Sequence, residues 1–220
     1  MKRRKIKGLT LSLAMALILT GCTSIKEKLG VAFPVKEYVE SVLETVYHGE
    51  YEEYQKYTEE SVTAAKAWHE QYVEEEAAYF AEYLHIEAVS KKGEERLKKL
   101  IEELYKQVRF EVQEPIRNDE GQLVEVVVYP VDFFHEAEEE LNEYITNFNQ
   151  ALAGGEYDTI SSEEQKAKYE EELLAICEKY KEIPTSAYQI SVNLTLKELE
   201  GGYYQIMNGF EKLDESVISY

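Results

Sequence analysis

The chain has 220 residues, with 24 Lys+Arg against 44 Asp+Glu and a formal net charge of −20. That length allows one domain or two small ones, and 31% charged with 44% hydrophobic residues suits a globular protein, not a disordered tail. Nucleic-acid binding needs clustered Lys/Arg and is excluded by this balance; two cysteines exclude a disulfide-rich scaffold and an all-cysteine zinc site.

The first segment reads as an address. Lys2, Arg3, Arg4, Lys5 and Lys7 form a basic start, and residues 9–19 are an apolar run too short to span a bilayer comfortably. The run ends in Leu19-Thr20-Gly21-Cys22, which resembles a bacterial lipobox. The resemblance implies cleavage before Cys22 and a lipid on its thiol; an ordinary signal peptide, or an uncleaved anchor with a chance cysteine, is the alternative. The expected organisation is a signal peptide at 1–21, a lipidated tether at 22–33 and a folded body at 34–220. Residues 1–21 hold five of the 24 basic residues and no acidic one, so removing them leaves 19 against 44, a net charge of −25. Anionic headgroups repel such a body, so two acyl chains on Cys22 would supply the membrane contact. The tether reaches at most about 35–40 Å, which keeps the body close to the bilayer.

Pro34 opens an amphipathic helix with Val35, Tyr38, Val39, Val42 and Val46 on one stripe, and Gly49 offers its left-handed cap. A long helix follows over 58–84, with Val62, Ala65, Trp68, Tyr72, Tyr79 and Tyr83 on one face and Glu74 and Glu75 toward solvent. A third helix covers about 94–106, with Leu97, Leu100, Ile101 and Leu104 inward. The period then drops to two: Val108, Phe110 and Val112 alternate with polar residues, a turn falls at 118–121, and 123–131 returns as a strand apolar enough to be covered on both faces. In the second half, Ser161 and Glu164 fit a capping box that opens a helix to about Lys181, closed by Pro184. Tyr188, Ile190, Val192, Leu194 and Leu196 form one face of a strand, Gly201-Gly202 turns it back into 203–207, and Phe210, Leu213 and Val217 mark a short helix.

Segments 35–54 and 141–160, offset by 106, share five identities in twenty positions: Glu37/Glu143, Tyr38/Tyr144, Gly49/Gly155, Glu50/Glu156 and Tyr51/Tyr157. An internal duplication is the preferred reading; two unrelated amphipathic helices with similar glycine caps are the other. Helices followed by a hairpin, twice, predict a single α+β domain: helices packed on an antiparallel sheet of about four strands, built from halves 34–132 and 133–220. Two independent domains are the alternative.

The lipobox, Gly49-Glu50-Tyr51, Tyr129-Pro130-Val131-Asp132 and the tail 209–214 together resemble uncharacterised extracytoplasmic lipoproteins of Gram-positive bacteria. A more distant likeness is to cystatin-like or nuclear-transport-factor-like α+β folds, in which a curved sheet cups a helix; two strands per half depart from both. The resemblance implies no catalytic residue.

Chemistry is sparse. His69 and His135 each precede a glutamate but lack the second histidine of a zincin helix; His135 with Glu139 would be half a metal site at most. The triplets Glu74–Glu76, Glu138–Glu140 and Glu170–Glu172 fan around their helices and read as solvated faces. Cys177 sits among Tyr169, Leu173, Ile176 and Tyr180 and reads as a buried thiol. No nucleophile elbow or phosphate-binding loop is present, so no catalytic residue, metal or cofactor is assigned. The 18 tyrosines are the compositional oddity. Core packing with hydroxyls at the rim accounts for them, or else a concave aromatic surface, for which Trp68 and Tyr72, one turn apart, are the ligand-binding candidates. The expected function is a membrane-anchored, extracytoplasmic, non-catalytic binding protein whose partner is another envelope protein. A small-ligand or peptide receptor is the alternative, and a carboxylate-dependent cell-envelope hydrolase a weaker one.

Overall fold

The structure, a computed structural model, describes residues 33–119, 121–183 and 188–220. The signal peptide, Cys22, nearly all of the tether and Pro184 lie outside the described residues. In chain order the elements are α1 (Val35–Leu43), running on into a π-helical turn (Glu44–His48), α2 (Tyr54–Tyr57), α3 (Val62–Tyr83), α4 (Lys91–Tyr105), β1 (Arg109–Val112), β2 (Ile116–Asn118) and β3 (Gly121–Tyr129). Then follow α5 (Phe133–Ala153), α6 (Ser162–Lys179), β4 (Ile190–Glu198), β5 (Tyr204–Asn208) and α7 (Phe210–Asp214).

The α+β class holds, with seven helices and one open antiparallel sheet in the order β1-β3-β4-β5 among the described residues. Among the described residues the strand count is five; the extra strand, β2, pairs three residues against β3 immediately before the expected turn. The two hairpins join through β3 and β4, where Val124 faces Leu194 and Val126 faces Val192, all four buried. One contiguous core runs from Phe33 to Ile218 and takes residues from both halves.

The α1 stripe is buried as its spacing requires. Its π turn ends at Gly49 (φ 70°), and α5 ends at Gly155 (φ 78°); these left-handed positions, where a Cβ is strained, are the two glycines matched at offset 106. Four helices, α1 to α4, precede the strands of the first half, whereas α5 and α6 alone precede those of the second.

Three expectations need correction. The inward face of α3 is Ala65, His69, Tyr72, Val73, Glu76, Ala77, Phe80 and Ala81, while Val62 is 45% exposed and Trp68, Tyr79 and Tyr83 are half-buried. The true stripe admits two polar residues because each finds a partner: His69 Nδ1 lies 2.8 Å from the Val46 carbonyl, and Glu76 accepts from the Tyr220 hydroxyl. Strand β3 is packed by the core on one face only. Glu125 on the other face is exposed, and Val127 there is buried outside the main core, between Glu111 on β1 and Ser191 on β4.

The acidic triplets are not simple solvated faces. Because successive helical residues turn by about 100°, one of three can face inward, and Glu76 and Glu170 are buried. Glu170 accepts from the Ser90 amide (2.9 Å) and hydroxyl (2.5 Å), while Ser90 itself N-caps α4 by accepting from Gly93 N (3.0 Å). A carboxylate at a helix N-terminus is favoured by the unpaired amides and the dipole. A Cβ on Gly93 would lie 2.2 Å from Glu170 Oε1, so the glycine is what admits the carboxylate. Below this contact, Arg96 forms a two-point pair with Glu178 (2.7 and 3.0 Å) and reaches Glu171 at 3.1 Å. Gln107 then accepts from Ile183 N and donates to the Lys181 carbonyl. Helices α4 and α6 thus meet along a polar seam that joins the two halves.

Candidate functional site

The excess of acid explains much of the tyrosine content. With too few cations to go round, tyrosine hydroxyls donate to carboxylates: Tyr47 to Asp214 (3.0 Å), Tyr129 to Glu111 (2.8 Å), Tyr180 to Glu140 (3.0 Å), Tyr203 to Glu59 (2.6 Å), Tyr204 to Glu198 (3.3 Å) and Tyr220 to Glu76. These are hydrogen bonds that neutral donors supply without adding positive charge.

The two aromatic candidates belong to this interior. Tyr72 is 2% exposed, and its ring meets Trp68 at 6.0 Å, Phe210 at 6.0 Å and Tyr47 at 6.3 Å, all edge-on. Trp68 also lies 5.9 Å from Tyr54 and 6.4 Å from Phe210. Tyr47, fully buried on the π turn, adds Tyr105 and Phe110 at 5.2 Å each. Trp68 and Tyr72 are therefore part of an aromatic wedge between α3, the π turn and α7, in which Tyr72 is buried and Trp68 half-buried. Burial, then the nearby Asp214 carboxylate, raises the Tyr72 hydroxyl above its ordinary range. That hydroxyl has no hydrogen-bond partner among the described residues, although the Trp68 indole adjoins it.

The histidines divide by environment. His135 and Glu139 are both exposed, and no group of three or more ligating side chains occurs among the described residues. His48 is half-buried between two acceptors, Glu44 Oε2 at 2.5 Å from Nδ1 and the Val108 carbonyl at 3.0 Å from Nε2. Two acceptors require two N–H donors, so the geometry calls for the imidazolium. Burial opposes the charge, but the Glu44 carboxylate and the Val108 carbonyl outweigh it and raise the pKa above the usual value. Cys177 is fully buried, and burial pushes its thiol up to about 12, which makes it inert.

A groove of about 730 Å³ lies elsewhere, between α3, α4 and the loop joining them. Its floor is low because Ala77, Ala78 and Ala81 leave little side chain on α3, with Ile86, Val89 and Leu97 completing the apolar lining. Its rim carries Glu74, Glu82, Glu87 and Glu94 against one cation, Lys98. Lys98 pairs with Glu74 and Lys166 with Glu87, whereas Glu82 and Glu94 form no ion pair among the described residues. The loop is fixed by a Schellman end to α3: Ile86 N donates to the Ala81 carbonyl (2.9 Å) and His85 N to that of Glu82 (3.0 Å). His85 occupies the left-handed position (φ 57°) that glycine usually fills, the one such non-glycine among the described residues. The sequence signal for this groove is weak: Ala77 and Ala81 lie one helical turn apart, but the same helix also carries Ala64, Ala65 and Ala67.

The class is thus an α+β fold with helices over an open antiparallel sheet. No family model matches the chain, and no curated protein matches it. A solved structure does: ycdA of Bacillus subtilis, described as a candidate lipoprotein, overlays with a TM-score of 0.55 at 16% identity, over 84% of this chain. The chain spans 56% of that structure's length, and at such identity the likeness is one of fold.

Proposed function

We propose that this chain is a membrane-anchored, extracytoplasmic lipoprotein that binds another envelope protein without catalysing a reaction. The carrying observation is the groove between α3 and α4, with its apolar floor and carboxylate rim. The anchor reading rests on Leu19-Thr20-Gly21-Cys22 and draws support from the fold shared with a protein named as a lipoprotein. No helix among the described residues is long and apolar enough to cross a membrane. The buried carboxylates Glu76 and Glu170 are engaged in packing contacts, which favours binding over hydrolysis.

The test is a photo-crosslinking residue placed at Ala78 in cells, compared with the same residue at exposed Glu163 on α6. A discrete adduct from position 78 alone is expected; equal adducts from both positions, or none, reject the groove as the binding surface. Alkyne fatty-acid labelling that disappears in Cys22→Ala is expected from the anchor, and label retained in that variant rejects it. A second reading has one observation in its favour: about 730 Å³ falls within the size of small-ligand sites. A thermal-shift panel of peptidoglycan fragments, sugars and short peptides addresses it. A ligand at about a hundred times its dissociation constant adds about 2.7 kcal/mol, and an unmoved midpoint across the panel removes this reading.

A further inference from the structure

The groove also specifies what fits it, on the reading that it is the binding surface. Both walls are helices whose backbone groups bond internally, so an extended peptide would find no free strand edge to pair with. A helix brings its backbone already satisfied and needs only side-chain complementarity. Alanines at 77, 78 and 81 let a third helix approach closely, as small residues do wherever helix backbones pack tightly. From Glu74 to Glu82 the α3 wall runs about 12 Å, two helical turns, which matches an apolar stripe at i, i+3 or i+4, and i+7.

Charge sets the remainder. Glu82 stands at the C-terminal end of α3, where the helix carbonyls already contribute negative potential, and Glu94 faces it from the first turn of α4. Both carboxylates lack a cation within ion-pair distance among the described residues, whereas the other two rim carboxylates are paired, Glu74 with Lys98 and Glu87 with Lys166. We infer that the groove docks a basic amphipathic helix of a protein partner, its apolar stripe on exposed Ala78 and half-buried Val89, above the buried Ala77 and Ala81, and its Lys or Arg side chains on Glu82 and Glu94. The attraction is electrostatic at the rim, so it weakens with added salt.

The experiment uses residues 22–220 with Cys22→Ser, which keeps the whole core beginning at Phe33. Fluorescence anisotropy would follow three labelled peptides, each about 15 residues long so that a helix is sustainable. One has a leucine stripe flanked by lysines, one the same stripe flanked by glutamates, and one lysines without the stripe. The expected result is binding of the Leu/Lys peptide alone. It should weaken at least tenfold in Ala78→Trp, which fills the exposed floor, and at least tenfold in the double variant Glu82→Lys, Glu94→Lys. Equal binding of both lysine peptides, unmoved by either variant, would mean attraction to the net charge of the body and would overturn the inference. Binding of the Leu/Glu peptide that Ala78→Trp abolishes would retain the groove as a docking surface and overturn its cationic partner. No binding by any peptide overturns the helix assignment, while the position-78 crosslink separately decides whether the groove binds a protein at all.

Discussion

Two of the contact regions between the helices of this molecule are built from opposite materials. The wedge of Tyr47, Tyr72, Tyr105, Trp68 and Phe210 joins α3, the π turn and α7 through ring faces and edges. The α4–α6 seam joins the two halves through Ser90, Gly93, Arg96 and Gln107 against Glu170, Glu171, Glu178 and the Lys181 carbonyl. The wedge draws on apolar area, which is indifferent to register. The seam draws on directional bonds, each of which is satisfied in one register only. An acidic chain with few cations can use both, because tyrosine serves as packing material and as donor.

The largest break should come from the wedge. Tyr47→Ala removes a fully buried ring with four aromatic neighbours and should cost about 3–5 kcal/mol, read as a lower urea midpoint at unchanged slope. A loss under about 1 kcal/mol would show that the wedge is loosely packed.

The seam should yield next. Glu170→Ala deprives the Ser90 amide and hydroxyl of a buried charged acceptor and should cost about 2 kcal/mol. Unlike the wedge variant, it should also raise hydrogen exchange at the start of α4 before global unfolding; uniform exchange would mean that the cap does not act locally.

Acid and base should then separate the regions. Glu178 is held below the ordinary carboxyl range by the Arg96 guanidinium, and Glu171 by Lys92 and Arg96. Their contribution is present above the unfolded carboxyl value, about 4.5, and is lost as pH falls through the lower folded values. His48 runs the other way. Its contribution is full below about 6.5, the unfolded value, and disappears as pH rises through its raised folded pKa. Urea midpoints should therefore peak in weakly acidic solution, and His48→Gln should flatten the alkaline limb while leaving the acid limb in place. An alkaline limb unchanged in that variant would remove the imidazolium from the account.

The smallest effect sharpens the comparison most. Tyr72→Phe deletes a buried hydroxyl without a partner among the described residues, so it should leave stability unchanged or raise it by up to about 1 kcal/mol. A clear loss would place that hydroxyl in a bond of its own.

What was legible in the chain follows from which side each element shows to water. α1 and β4 are buried on one face, so their periods appear plainly in Val35, Val39 and Val42 and in Val192, Leu194 and Leu196. The capping box at Ser161 is local chemistry, and the structure contains both of its hydrogen bonds. α3 was harder, since its inward face includes His69 and Glu76, whose partners lie 23 and 144 residues away. Glu170 carries no sign of burial in the sequence for the same reason: its acceptor role depends on Ser90, 80 residues earlier, and on a glycine that leaves room for it. The groove was invisible because alanine on a helix carries no preference for cleft or core; only the neighbouring helix makes the space. Trp68 and Tyr72 stand out by residue type, but only the fold shows the rings of Tyr47, Tyr54 and Phe210 around them.

The setting of Trp68 has an optical consequence. It is the sole tryptophan among 18 tyrosines, and Tyr54 and Tyr72 lie within 6 Å of its ring. Excitation absorbed by those phenols passes to the indole over such short gaps, so the folded molecule should emit chiefly as tryptophan. Loosening of α3 from α7 would return emission to tyrosine, giving the protein a built-in gauge of that one junction without any added dye.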